Sequence, residues 1–152
     1  MVYRVSSTYT FATTPEHAYD VIVDAPLQEI FSHRSGPIPP VKDMRGSASW
    51  GKVGDTRTVV LADGSSNLET LVGASRPDDY RYELTEFTGP MKALVGKVEG
   101  QFSFEALGDR TVATWSWSIH PKNRVAGLGL PVLAFFWKGW AAKMWPKFGA
   151  RI

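Results

Sequence analysis

The sequence predicts an α+β domain in which a long C-terminal helix covers one face of an antiparallel sheet of about six or seven strands. Three observations predict this class. Apolar residues near the C-terminus recur with helical spacing, and consecutive segments in the middle of the chain alternate apolar and polar residues between tight turns. The chain begins with a strand followed by two short helices. Strands that follow one another directly favour antiparallel neighbours with one apolar face to cover.

The composition fits a single domain that spans residues 1–152. The 152 residues are enough for one hydrophobic core, and 43% hydrophobic with 21% charged residues is ordinary for a globular protein. The formal net charge of +2 is weak and dispersed, so we expect no nucleic-acid partner. The absence of cysteine excludes disulfides, thiolate metal sites and a cysteine nucleophile.

The N-terminus lacks the continuous apolar run of a signal peptide, which predicts a cytoplasmic protein. The most apolar run, Val125 to Trp137, is shorter than the ~20 residues needed to span a bilayer, so we expect no stable membrane insertion.

The first elements are a strand and a capped helix. Residues 3–11 alternate as a half-buried strand does. Thr14 suits the N-cap and Pro15 the first turn of the helix that follows, which should end before Pro26. A second short helix is expected around residues 27–31.

The middle of the chain predicts a series of hairpins. After a weak strand over residues 41–45 and a loop over 46–54, strands are expected at 56–61, 67–74, 80–87, 97–107 and 111–120, with a loop at 88–96. The turn at Asp63-Gly64 leaves two registers open. A two-residue turn places Arg57 opposite Thr70, whereas a three-residue loop with a glycine bulge places it opposite Glu69.

The C-terminal helix is expected to begin near Pro131 and to carry a heavy aromatic stripe. Its apolar positions share one helix face and are Leu133, Trp137, Trp140, Met144 and Phe148. Pro146 should interrupt the backbone hydrogen bonds and shorten the helix. Phe135 lies about 200° from Leu133 at ~100° per residue and should be exposed, as a homodimer contact, a membrane-docking patch or an ordinary surface aromatic.

Several segments resemble one known family along almost the whole chain. They are Ala12 to Asp20 (ATTPEHAYD), Val53 to Arg57 (VGDTR), Leu61 to Gly64 (LADG) with Glu69 beyond it, Arg81-Tyr82, and Gly108 to Trp115 (GDRTVATW) before the apolar terminal helix. These segments resemble the polyketide-cyclase/dehydratase branch of the START/Bet v 1-like (SRPBCC) superfamily. The resemblance implies a helix-grip fold, in which a curved sheet and a terminal helix enclose a cavity for a hydrophobic small molecule. The motifs mark the fold more specifically than the function, because the superfamily holds carriers, receptors and cyclases.

Arg57, Glu69 and Tyr82 are the polar groups with which such a cavity could bind or convert a ligand. They would hold a carbonyl or carboxylate, or polarise a carbonyl and move a proton. The alternative is an exposed cross-strand ion pair of ~0.2–1 kcal/mol, with a tyrosine at the sheet rim.

The apolar lining is predicted from both layers. The predicted residues are Phe102, Phe104, Trp115 and Trp117 on the sheet, and Leu133, Trp137, Trp140 and Met144 on the helix. The alternative is that these aromatic residues simply fill the core. No metal-ligand spacing involves the three histidines, and no dinucleotide motif is present, so we expect neither metal nor cofactor. Three functions remain open: a carrier or sensor of a lipid or polyketide-like molecule, a cyclase or dehydratase, and an interaction module without ligand.

Overall fold

The computed structural model describes residues 1–46 and 50–152 and has the architecture that the sequence predicts. The strands in the described residues are β1 (Tyr3–Phe11), β2 (Val41–Arg45), β3 (Thr56–Leu61), β4 (Ser66–Ser75), β5 (Asp79–Thr85), β6 (Val95–Leu107) and β7 (Arg110–Pro121). The helices are α1 (Pro15–Asp24), α2 (Leu27–Ile30), α3 (Pro90–Leu94) and α4 (Leu130–Gly149), and a 3₁₀ turn at Ala126–Gly129 leads into α4. Residues 47–49 of the predicted loop 46–54 lie outside the described residues.

The described strands form one antiparallel sheet in the order β1-β7-β6-β5-β4-β3-β2. The first strand pairs with the last, and β1 and β2 form the two edges of the sheet. Helix α4 packs against the sheet and contacts β1 and α2. This confirms the helix-grip architecture and places the core between the sheet and α4.

Helix α1 begins where its capping residues predict. The backbone N–H of His17 donates to Thr14 Oγ1 at 3.2 Å, and Pro15 occupies the first turn. Such an N-cap satisfies one of the N–H groups that have no partner within the helix. Ala18, Tyr19 and Ile22 form its buried face.

The hairpin β3–β4 adopts the three-residue register. Leu61 N–H donates to Ser65 O at 2.8 Å, which closes a loop of residues 62–64, and Gly64 has φ of 87°. Glycine enters this left-handed region without the steric cost that other residues meet there. Arg57 therefore lies directly opposite Glu69.

The loop predicted at 88–96 contains the short helix α3, and β6 begins earlier than predicted, at Val95. Pro90 lies in the first turn of α3, where its missing N–H costs no hydrogen bond.

The expectation that Pro146 shortens the last helix is wrong. Helix α4 continues through Pro146 to Gly149. Proline removes one N–H donor, but Trp145 and Phe148 on either side are 2% and 1% exposed, so burial of the last turn offsets that loss. No helix in the described ranges is long and apolar enough to cross a membrane.

Candidate functional site

A cavity of about 250 Å³ lies between the sheet and the N-terminal half of α4. The interior of the domain is therefore not completely filled by its own aromatic residues. An engineered apolar cavity of roughly 150 Å³ is known to bind benzene, so this volume suits a molecule of one or two rings. It lies just below the usual range for ligand pockets, roughly 300–1,000 Å³.

The cavity has a deep end and a mouth. Trp115, Trp117 and Trp140 line the deep end together with Phe31. The lining residues of the segment 37–39, of α3 and of the first turn of α4 are mostly exposed or half-buried, and we take this side as the mouth. The remaining lining residues are mostly apolar and include Val41, Val59, Leu61, Leu84, Phe87, Met91, Leu94, Val132 and Leu133.

The structure brings six of the eleven predicted site residues to this cavity. They are Glu69, Tyr82, Trp115, Trp117, Leu133 and Trp140. The other five do not line it, and each has a packing reason given below; they are Arg57, Phe102, Phe104, Trp137 and Met144.

Phe102 and Phe104 lie beyond the cavity because aromatic rings fill that end of the domain. Phe102 stacks on Tyr80 and meets Phe148 edge-on, with ring centroids 5.3 and 6.1 Å apart. Phe104 packs edge-on against Tyr19 of α1 at 5.7 Å. Edge-to-face and offset contacts of this kind stabilise a core beyond the area that they bury.

Trp137 and Met144 are both fully buried within the core. The Trp137 ring packs against Trp115, with centroids 4.4 Å apart. It supports the cavity wall from behind. Its Nε1 is buried and has no hydrogen-bond partner among the described residues.

Arg57 and Glu69 form a buried ion pair rather than the exposed pair that was the alternative. Arg57 Nε donates to Glu69 Oε1 at 2.7 Å, and the two side chains are 10% and 5% exposed. Trp50 covers the guanidinium, whose Cζ lies 3.8 Å from the ring centroid. Burial raises the pKa of Glu69, and the Arg57 charge opposes that rise. Only Glu69 of the pair reaches the cavity wall.

Tyr82 has its hydroxyl oxygen held by two tryptophans of β7. Trp115 Nε1 donates to it at 2.7 Å and Trp117 Nε1 at 2.9 Å. A phenol oxygen has two acceptor positions and one proton, so the hydroxyl proton remains to be donated to a further group. Burial, and next the nearby Glu69 charge, raise the pKa of Tyr82, which keeps the hydroxyl neutral and a donor at physiological pH.

Gly100 makes room for this tyrosine. It lies opposite Tyr82 in the β5–β6 pair, and a Cβ at Gly100 would collide with the Tyr82 ring. Here glycine is required by close packing rather than by its backbone freedom.

Asn67 completes a polar wall, which we define as Asn67, Glu69 and Tyr82. Asn67 and Glu69 lie two residues apart on β4 and share its inner face, while Tyr82 is the diagonal neighbour of Glu69 on β5. Asn67 is 8% exposed, and its Oδ1 has no hydrogen-bond partner among the described residues. A buried polar atom without a partner is costly in a finished core.

Sequence reasoning missed Asn67 and Trp50. The alternation of β4 was a usable signal for Asn67, because it places residues 67 and 69 on one face once Glu69 is placed inside. The position of Trp50 after an irregular loop carried no such signal.

The segment after α2 is fastened to α4 and so fixes one side of the mouth. His33 Nε2 and Trp140 O lie 3.0 Å apart, Trp140 Nε1 donates to His33 O at 3.1 Å, and Ser35 Oγ donates to Phe136 O at 2.6 Å. Lys147 Nζ lies 3.0 Å from His33 Nδ1, which fits a neutral ring with its proton on Nε2. Burial lowers the pKa of His33.

A larger hollow of about 790 Å³ lies mainly over the outer face of the sheet and the gap between β1 and α4. Its lining is largely polar and charged and includes Arg4, Arg81, Glu83 and Glu99. An apolar molecule is better matched by the smaller cavity, whose lining is mostly hydrophobic.

No protein-family model and no curated protein sequence match this chain. Solved structures do match it. A START superfamily protein from Mycobacterium smegmatis has a TM-score of 0.67 and 16% identity, with 98% of this chain and 96% of that chain covered. The ginseng major latex-like protein 151 from Panax ginseng has a TM-score of 0.70 and 12% identity, with 99% and 97% covered.

DynU16, a protein in the dynemicin biosynthetic locus, matches with a TM-score of 0.63 and 11% identity. The match covers 97% of this chain and 46% of DynU16, so the chain spans about half of that protein. With the sheet order and the terminal helix, these likenesses establish that the chain has the helix-grip fold of START/Bet v 1-like proteins.

Proposed function

We propose that the protein binds a small hydrophobic molecule that carries a hydrogen-bond acceptor, such as a carbonyl oxygen, and serves as its carrier or sensor. The observation that carries the proposal is Tyr82, which lines an otherwise mostly apolar cavity and whose hydroxyl oxygen already accepts hydrogen bonds from two indole N–H groups. Its remaining proton gives an apolar ligand one preferred orientation. The cavity volume favours one or two rings rather than a long acyl chain.

A pair of probes tests both parts of the proposal. 1-Tetralone and tetralin share a bicyclic skeleton and differ in one carbonyl oxygen. We expect both to bind, and the ketone to bind about two- to tenfold more tightly, because one net hydrogen bond contributes about 0.5–1.5 kcal/mol. Isothermal titration and quenching of the cavity tryptophans measure the two affinities.

Matched variants place the binding site. Leu84→Phe enlarges a side chain that lines the cavity and should abolish binding of both probes, whereas Leu107→Phe, the same change at a residue that is 60% exposed, should not. If the wild type binds neither probe, or if Leu84→Phe binds both normally, the cavity is not the site. Equal affinities for the two probes would contradict the role of Tyr82.

A second candidate function, a cyclase- or dehydratase-type enzyme, is favoured by Glu69 and Tyr82 lining the same cavity. The Glu69 carboxylate, whose pKa burial raises, would remove a proton from the carbon next to a carbonyl group. Tyr82 would donate a hydrogen bond to the enolate oxygen that forms, and the proton would return from the Glu69 carboxyl group.

Deuterium exchange into C2 of 1-tetralone in D₂O, followed by NMR, measures this chemistry directly. Catalysed exchange that Glu69→Gln removes, while tetralone still binds, would support the enzyme. Exchange no faster than in buffer would leave binding alone as the function.

A further inference from the structure

A stripe of exposed apolar side chains runs along the start of the C-terminal helix. Val125, Leu128, Val132 and Phe135 are 79%, 80%, 59% and 70% exposed, and we call them the apolar stripe. Their spacing of three, four and three residues places them on one side of the 3₁₀ turn and α4. Single exposed apolar residues are ordinary, but four in a row on one face indicate a binding surface.

The part of the chain that carries the stripe contains basic residues and no acidic ones, although Glu83 and Glu99 of the sheet line the same hollow as Phe135. Asp109 is the last acidic residue of the chain, and seven of its 17 basic residues follow. Residues 1–109 therefore carry ten basic and all 15 acidic residues, a formal charge of −5, while residues 110–152 carry +7. Arg124 and Lys138 are exposed beside the two ends of the stripe. The modest net charge of the whole chain hides this separation.

The stripe adjoins the mouth of the cavity. Val132 belongs both to the apolar stripe and to the cavity lining. Gly129 and Leu133, close to it in the chain, also line the cavity. Helix α3, which forms another part of the mouth, packs against the 3₁₀ turn, where Leu94 Cδ1 would lie 3.0 Å from a Cβ at Gly129. A surface bound to the stripe would therefore face the cavity entrance.

We propose that the apolar stripe and its basic surroundings dock the protein on the surface of an anionic lipid bilayer. Exposed apolar side chains flanked by lysine and arginine match the interfacial zone, in which acyl chains meet negatively charged headgroups. A second copy of the chain fits less well, because pairing through the stripe would bring Arg124 and Lys138 of one copy close to the same basic residues of the other. The docking is peripheral, since the opposite face of α4 packs in the core.

Vesicle co-sedimentation with the intact protein tests the proposal. We expect binding to phosphatidylcholine vesicles that contain about 30% phosphatidylserine, little binding to pure phosphatidylcholine, and loss of binding at about 0.5 M salt. Leu128→Ser and Phe135→Ser should each weaken binding on the order of tenfold. Lys138→Glu reverses one charge, a change of two charge units, and should weaken vesicle binding roughly thirtyfold.

Matched controls come from the turn between β6 and β7, at the end of the β6–β7 hairpin that lies away from the apolar stripe. Leu107 and Arg110 are exposed there, and Leu107→Ser and Arg110→Glu should leave vesicle binding unchanged. Circular dichroism checks that each variant is folded.

Three outcomes would overturn the proposal. In the first, the wild type does not bind vesicles in a way that requires anionic lipid. In the second, the variants of the apolar stripe bind vesicles as well as the controls do. In the third, light scattering shows that the wild type is a dimer and that Phe135→Ser converts it to a monomer. The inference stands apart from ligand binding. Leu84→Phe should lose tetralone binding and keep vesicle binding, whereas Phe135→Ser should weaken vesicle binding on the order of tenfold and keep tetralone binding.

Discussion

Replacing Tyr82 with phenylalanine removes one oxygen atom from the core and leaves two donors without a partner. Trp115 Nε1 and Trp117 Nε1 both donate to this hydroxyl, and the two indole side chains are 2% and 7% exposed. The phenylalanine ring fills the same space, so the loss of packing is small. The effect is therefore almost entirely that of the orphaned N–H groups.

The structure allows an estimate of the cost. Each buried donor that loses its partner costs about 1–3 kcal/mol, so Tyr82→Phe should lower the free energy of unfolding by about 2–5 kcal/mol. For a domain of about 150 residues, 1 kcal/mol shifts Tm by roughly 2–4 °C. A loss of about 3 kcal/mol therefore corresponds to a Tm decrease of roughly 6–12 °C.

Urea and thermal unfolding, followed by tryptophan fluorescence, measure the change, with Tyr80→Phe as the control. Tyr80 lies two residues away on the same strand face and is 4% exposed, but the indole N–H groups of Trp115 and Trp117 donate to Tyr82 and not to Tyr80. We expect Tyr80→Phe to cost less than Tyr82→Phe by the amount assigned to the two indoles. Equal losses for the two variants would refute the reasoning, because the indole N–H groups would then have another acceptor.

Three further predictions follow from buried or unusual groups. Arg57→Met should destabilise the fold by about 3–5 kcal/mol at neutral pH, because Glu69 keeps a buried charge without a partner. Adding Glu69→Leu should recover most of that stability, as measured by chemical denaturation. A double variant as unstable as Arg57→Met alone would contradict this prediction. Because burial lowers the pKa of His33, the unfolded chain binds a proton at this histidine at a higher pH than the folded chain does, and stability should fall as pH decreases below about 6.5. His33→Gln should reduce the change of the urea midpoint between about pH 7 and 5. The same pH dependence in the variant as in the wild type would exclude a contribution from His33. Pro146→Ala restores a backbone N–H donor within α4 and should raise Tm, with a stabilisation of about 1–2 kcal/mol. A lower Tm for the variant would mean that proline stabilises the last turn of the helix.

The sequence by itself determined the order of the strands and of helices α1, α2 and α4, the capping of α1 and the buried face of α4. Each depends on interactions between residues close together in the chain. Thr14 and His17 are three residues apart, and the buried apolar residues of α4 from Leu133 to Phe148 follow the helical repeat. For the same reason the exposure of Phe135, 70% in the structure, was predictable from its angle around the helix.

The tertiary structure decided which residues reach the cavity. Alternation places Phe102, Trp115 and Trp117 on the inner face of the sheet but does not say where along that face the cavity lies. That depends on how the aromatic rings of α1, the sheet and α4 fill one end and leave the other open.

The burial of Arg57 and Glu69 also depended on distant contacts. A three-residue loop placed them opposite each other, but the cover that excludes water includes Trp50, whose position no local pattern predicts. The paired indole donors on Tyr82 come from a strand more than 30 residues away in the chain. A local sequence pattern predicts which side chains can point inward. Which partners those side chains contact depends on how the sheet packs around the helix in the tertiary structure.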